Sequence, residues 1–199
     1  MPKMGARYKI PFKRRRKCLT NYKKRRALIL SGKPRLVVRK SNKNIFVQVI
    51  TAEPQGDVTL VSAHSKQLVK NFEWKAYTRN IPTAYLLGLI AGFQAMKKNI
   101  GEAILDIGLH RSTKGNIIYA AVKGALDAGL KIPVREDMLP GDDRISGEHI
   151  AKYAQMLKEI DPEKYDRQFS SYLKRGLPPE ELPNHFAEIK EKIIKFFSA

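Results

Sequence analysis

Apolar residues recur with different spacings along the chain, and each spacing predicts a different kind of element. Arg35 to Lys40 and Ile45 to Thr51 are rich in Val and Ile, with Ser41-Asn42-Lys43-Asn44 between them, which is the pattern of a β-hairpin. Glu53-Pro54-Gln55-Gly56-Asp57 supplies the next turn and Val58 to Ala63 a third strand, so the three are expected as an antiparallel meander. From Asn80 the period changes. Pro82 or Thr83 starts a helix through Met96 that is apolar nearly all round and therefore buried. Its Gly88, Ala91, Gly92 and Ala95 offer a small-residue face for close packing on a sheet. Ala103 to Leu109 is a continuous apolar run broken only by Asp106, as in an interior strand. Asn116 to Ala128 reads as a second helix ended by Gly129, and Ile132-Pro133-Val134 as a short final strand. The order β-β-β-α-β-α-β implies an α/β domain, a mixed sheet with helices packed on it.

The flanks differ from this core. Thr20 to Leu30 predicts a short helix that Ser31-Gly32-Lys33-Pro34 breaks. After Glu136, Ser146 is placed to cap a helix with apolar positions Ile150, Tyr153, Ala154 and Leu157. Asp161-Pro162 caps another, ended by Gly176. Pro178, Pro179 and Pro183 punctuate the next connection, and Phe186, Ile189, Ile193 and Phe196 stripe a last helix. Three units follow: a basic arm with its short helix (1–30), an α/β core (31–135) and an α-helical C-terminal extension (136–199).

Charge sharpens this picture. The formal net charge is +19, and residues 1–52 hold 17 Lys and Arg with no Asp or Glu. The remaining residues are nearly balanced. A balanced body carrying a basic arm is the footprint of a polyanion binder, since a segment of one sign repels itself until counter-charge arrives. In the arm, Tyr8, Phe12 and Tyr22 are interleaved with Arg7, Lys9, Lys13, Arg14, Arg15, Arg16, Lys17, Lys23, Lys24, Arg25 and Arg26. Cations contact phosphate irrespective of sequence, while rings stack on unpaired bases or anchor the arm on the body. With so few apolar residues, the arm is expected to order only on binding. A single cysteine excludes a disulfide framework and fits a reducing cytosol. The longest apolar stretch is too short to span a bilayer, and no apolar block follows the basic N-terminus as in a signal peptide.

Catalytic signatures are missing. His64, His110, His149 and His185 are scattered, without HExxH or a metal spacing to Cys18, and there is no GxSxG, Walker A or GxGxxG. The one constellation with catalytic potential is acidic: Asp106, with Glu136-Asp137 and Asp142-Asp143. Carboxylates converging at strand ends hold two divalent metals in some nucleases, so a basic metal-dependent nuclease is the alternative reading. The competing account makes Asp106 a hydrogen-bonded residue near a strand end and the other acids an exposed loop.

The run Gly32-Lys33-Pro34-Arg35-Leu36-Val37-Val38-Arg39-Lys40-Ser41-Asn42-Lys43 closely resembles the hairpin of the large-subunit ribosomal protein eighteen family, the 5S rRNA binders. Ser62-Ala63-His64-Ser65 and Leu105-Asp106-Ile107-Gly108-Leu109 resemble its next landmarks. Arg7-Tyr8-Lys9 with Arg14-Arg15-Arg16, Ile81-Pro82-Thr83-Ala84-Tyr85 and Gly124-Ala125-Leu126-Asp127-Ala128-Gly129-Leu130 are similar to its archaeal branch, whose eukaryotic counterpart is large-subunit ribosomal protein five. The likeness runs from about Arg7 to about Phe186. It implies a non-catalytic, cofactor-free protein of the cytoplasmic ribosome. It also implies that the protein binds 5S rRNA, touches the large rRNA and neighbouring proteins, and fixes the 5S particle in the central protuberance. It implies neither metal, small-molecule substrate nor membrane partner.

Carried onto this chain, the resemblance implies RNA contact in three places. The arm from Arg7 to Arg26 is expected to thread into rRNA as an extended segment. In the hairpin, Arg35 and Arg39 share the strand face opposite Leu36 and Val38, and are suited to planar bidentate contacts. Ser41, Asn42 and Lys43 occupy the turn, with Phe46 and Gln48 on the RNA side. Third is the loop His110-Arg111-Ser112-Thr113-Lys114-Gly115-Asn116, whose hydroxyls and cations precede a helix N-terminus.

Overall fold

The computed structural model describes residues 5–198; the first four residues of the basic arm and the last residue lie outside it. Strands β1 (Arg35–Lys40), β2 (Ile45–Glu53) and β3 (Gly56–His64) form the expected antiparallel meander. Leu36 pairs with Val49 and Val38 with Val47, so alternation puts these four on one fully buried face. Between Val49 and Ile50 the register to β3 shifts, leaving Leu60 as a bulge whose carbonyl accepts a hydrogen bond from Lys98 Nζ.

Helix α1 (Lys13–Arg16) and helix α2 (Tyr22–Leu30) precede the sheet. The four-residue helix interrupts the arm that was expected to be extended. Asn21 caps α2 by accepting the Lys24 N–H. After β3 comes α3 (Ser65–Phe72), which the sequence reading left out. Its cap is a reciprocal box: His64 Nδ1 accepts the Lys66 N–H and Gln67 Oε1 accepts the His64 N–H. Histidine replaces the usual Ser or Thr, so the capping signal was easily missed.

Helix α4 (Ile81–Lys97) is buried on nearly every side, as its composition required. Its small residues, however, face α5 (Ile117–Asp127) rather than the sheet. A Cβ on Gly88 would lie 1.9 Å from the Ala121 carbonyl oxygen, and one on Gly124 would lie 2.1 Å from that of Tyr85. Two backbones therefore touch where side chains would normally intervene.

The run from Ala103 yields only β4 (Ile104–Asp106), parallel to β1. The sheet order is β3-β2-β1-β4, so β4 is an edge strand and not the interior strand expected. Gly108, at φ +60°, turns the chain away two residues later. The anticipated strand at 132–134 does not form: an isolated bridge pairs Glu102 with Lys131 just before it, and Pro133 has no N–H to give a ladder.

Beyond a 3₁₀ turn at Glu136–Met138, α6 (Asp142–Ser146), α7 (Glu148–Ile160), α8 (Pro162–Leu173) and α9 (Leu182–Ser198) form the helical extension. Gly147, at φ +90°, separates α6 from α7; Ser146 does not cap α7 but donates to the Asp143 carbonyl. Pro183 lies within the first turn of α9 instead of before it. Phe186, Ile189 and Ile193 are buried, whereas Phe196 is exposed, its ring edge against Phe72. These helices share one hydrophobic cluster with α4, α5 and the sheet.

Candidate nucleic-acid interface

The sheet face opposite the core, expected to present Arg35 and Arg39 to RNA, has α2 lying against it. Arg25 on α2 donates two hydrogen bonds of 2.7 Å to Asp57 of β3, joining helix to sheet. Between them lies a cavity of about 810 Å³ bordered by Arg14, Leu19, Leu28, Val37, Leu105 and His110. The α1–α2 segment and the loop after β4 thus meet across this face.

This arrangement corrects the reading of Arg35. Its side chain is 4% exposed and donates from Nη1 to Asp106 Oδ2 at 3.0 Å. Its Nη2 lies 2.8 Å from Asp57 Oδ2 without hydrogen-bond alignment, so Nη2 and Nε are buried and unsatisfied. Such a guanidinium is an internal tie and presents nothing at the surface. Arg39 is 30% exposed and also committed: Nη2 donates to Asp106 Oδ1 and Nη1 to the Asp106 carbonyl. Two residues on, Gly108 accommodates it, for a Cβ there would come within 2.9 Å of the guanidinium carbon.

Asp106 is therefore an ion-pair centre, not a metal ligand. Burial works to raise its pKa, but the hydrogen bond and charge of Arg39, the Gly108 N–H and the Arg35 charge outweigh it and hold the carboxyl below the usual range. Of the other acids in the nuclease reading, Asp142 pairs with Lys123 and Asp137 with Lys114 and Arg135, while Glu136 and Asp143 are exposed and do not converge with Asp106 on a common site. Among the described residues no group of three or more His, Cys, Asp or Glu is placed to hold a metal. The geometry gives that alternative no support.

The remaining sequence candidates fall as follows. In the arm, Arg7, Tyr8, Lys9, Lys13, Arg14, Arg15, Arg16, Lys17, Lys23 and Arg26 are exposed. Tyr22 is half-buried and packs on Phe12 with ring centroids 5.3 Å apart, so these rings contact each other within the arm. Ser41 ties its own turn together, exchanging hydrogen bonds with Asn44, while Asn42 and Lys43 are exposed. Phe46 stacks on His64 and Gln48 Nε2 donates to Ser62, both on the outer face as alternation required. In the loop, Arg111, Ser112, Thr113 and Lys114 are exposed. Ser112 shares a hydrogen bond with Tyr119, and Asn116 Oδ1 accepts the N–H groups of Ile118 and Tyr119. The N-terminus of α5 is thus capped by its own side chain.

Three segments meet at the carboxyl end of the parallel β1 and β4: the hairpin turn, the loop after β4, and the connection from α3 to α4. The connection is held against the turn by Tyr77 OH donating to the Asn42 carbonyl and Thr78 Oγ1 to the Lys43 carbonyl. It brings Arg79, a residue the sequence reading passed over, to this end together with Lys40 of β1. Arg79 belongs to no motif, and Lys40 closes the hairpin run without being singled out in it; the fold brings both to the end of the sheet where His110 lies.

The family model described as "Ribosomal large subunit proteins 60S L5, and 50S L18" matches residues 6–101 and 94–135. The chain is 58% identical over 189 residues to the "Large ribosomal subunit protein uL18" of Thermofilum pendens (strain DSM 2475 / Hrk 5), covering 95% of this chain and 96% of that protein. The chain belongs to the family of ribosomal large-subunit proteins 60S L5 and 50S L18.

Proposed function

We propose that this protein binds 5S rRNA, also touches the large rRNA, and fixes the 5S particle beside neighbouring proteins in the central protuberance. Family membership makes it a non-enzymatic, structural constituent of the large subunit of the cytoplasmic ribosome. In this reading residues 1–30 act as the basic arm, 31–135 as the 5S rRNA-binding core and 136–199 as a helical extension. RNA contact falls on the exposed arm cations, on the hairpin turn with Phe46 and Gln48, and on the loop from His110 to Asn116. Arg35 and Arg39 act behind that surface, holding β1 to the strand that launches the loop.

The observation that best supports the reading is where charge is left uncompensated. Asp57 and Asp106 are paired with Arg25, Arg35 and Arg39, while Lys40, Lys43 and Arg111 have no carboxylate partner among the described residues. A surface of such cations binds phosphate, and base or shape readout supplies the choice of RNA. The test is selection from total cellular RNA by the purified protein. Stoichiometric recovery of 5S rRNA is the expected result. Recovery of all structured RNAs in proportion to their abundance would defeat the assignment.

A further inference from the structure

The connection between α3 and α4 contributes a cation that no hydrogen bond or ion pair among the described residues explains. Arg79 has its Nε buried without a hydrogen-bond partner, and no carboxylate pairs with its guanidinium among the described residues. Its neighbours are also cationic. Arg39 and His110 line one cavity, Lys40 follows Arg39 at the end of β1, and residues 77–78 are held on the adjoining turn. Burial, and then the charges of Lys40, Arg39 and Arg79, hold the His110 imidazole below the usual histidine range. Of these cations, only Arg39 has an acid to balance it among the described residues. Thr78, next to Arg79, is bonded to the Lys43 carbonyl, which places the hairpin turn beside the same cluster.

A cluster of like charges with an unsatisfied buried donor is costly in isolation. It becomes favourable when an anion with several acceptor oxygens enters, because each N–H then gains a charge-assisted bond. We propose that Arg79, Lys40 and His110 form a seat for one backbone phosphate of RNA, with Arg79 as its central ligand. The proposal rests on the RNA-binding reading but not on which RNA is bound, since a phosphate seat is indifferent to sequence. Residues 77–80 thereby acquire a role that the arm, hairpin and loop do not cover.

The experiment compares wild type, Arg79→Gln, Lys40→Gln and, as a control at an exposed tail lysine, Lys174→Gln. Affinities for 5S rRNA and for a generic RNA duplex are measured over a range of salt, and thermal stability is measured without RNA. Arg79→Gln and Lys40→Gln should each weaken binding to both RNAs several-fold and reduce the salt slope by about 0.7–0.9, one phosphate's worth. Lys174→Gln should change neither. Without RNA, Arg79→Gln should be as stable as wild type or more so, because a repulsive charge is removed. A structural role for Arg79 predicts the reverse, a less stable protein with an unchanged salt slope, and that result overturns the proposal. Lys40→Gln gives an independent reading should Arg79→Gln fail to fold; an unchanged slope there also overturns it. If wild type shows no preference for 5S rRNA, the assignment of the RNA fails, and the seat is judged on the duplex alone.

Discussion

Asp106 joins several parts of this molecule, because one buried carboxylate meets Arg35, Arg39 and the Gly108 N–H at the exit of β4. Replacing it by Asn keeps the shape but leaves the Arg35 guanidinium, already short of partners, without its buried counter-charge. We expect Asp106→Asn to cost about 3 kcal/mol in denaturant unfolding at neutral pH, the scale of breaking a buried pair from one side. The same carboxyl sets an acid dependence. Its folded pKa lies below its unfolded value near 4, so its stabilisation is fully present above about pH 5 and is lost as pH falls through the folded value. Stability of the wild type should therefore fall more steeply below about pH 4 than that of Asp106→Asn. Parallel curves would show that the carboxylate is not titrating with folding.

Elements here are held by features that their own periodicity does not reveal. Helices α4 and α5 approach so closely that Gly88 and Gly124 each face a carbonyl of the opposite helix. Neither glycine has positive φ, so the requirement is room and not backbone freedom. Gly88→Ala places a methyl group inside a carbonyl's contact distance; helix propensity would favour it, overpacking opposes it, and overpacking wins. A loss of about 3 kcal/mol, or a failure to fold, is expected in thermal or denaturant unfolding. Gly101→Ala, where nothing lies within 4 Å, should remain within about 0.5 kcal/mol of wild type.

Across the whole molecule, charge is uneven: residues 53–199 nearly balance, whereas residues 1–52, the arm and the hairpin, carry cations and no acid. Residues 1–20 hold eight Lys and Arg, and their removal leaves the Asn21 cap and the Arg25–Asp57 link in place. If half of those cations neutralise phosphates, truncation should flatten the salt slope of RNA binding by about 3. Circular dichroism and thermal stability should barely change, since α1 buries no residue. An unchanged slope would locate the electrostatic contact in the body.

Local pattern in the sequence already determined the meander, its buried face, the burial of α4, and the cap at Asp161. Alternation and capping act over a few residues, so they can be read without knowing the fold. Hairpin register follows from the turn, and Leu36, Val38, Val47 and Val49 could point only one way. Tertiary structure alone decided the rest. β4 became an edge strand because its partner β1 lies some seventy residues earlier, and nothing local specifies a parallel neighbour. Arg35 looked like an outward-facing contact by period two, and it does lie on the outer face. That face is covered by α2 and supplied with Asp57 and Asp106 from two other strands, which turns a surface cation into an internal tie. Arg79 and Lys40 are the reverse case, ordinary charges in sequence that folding brings to the same end of the sheet as His110, with no acid paired to Arg79 among the described residues. Pairing between distant segments is set by the packing of the whole chain, and periodicity, being local, carries no record of it.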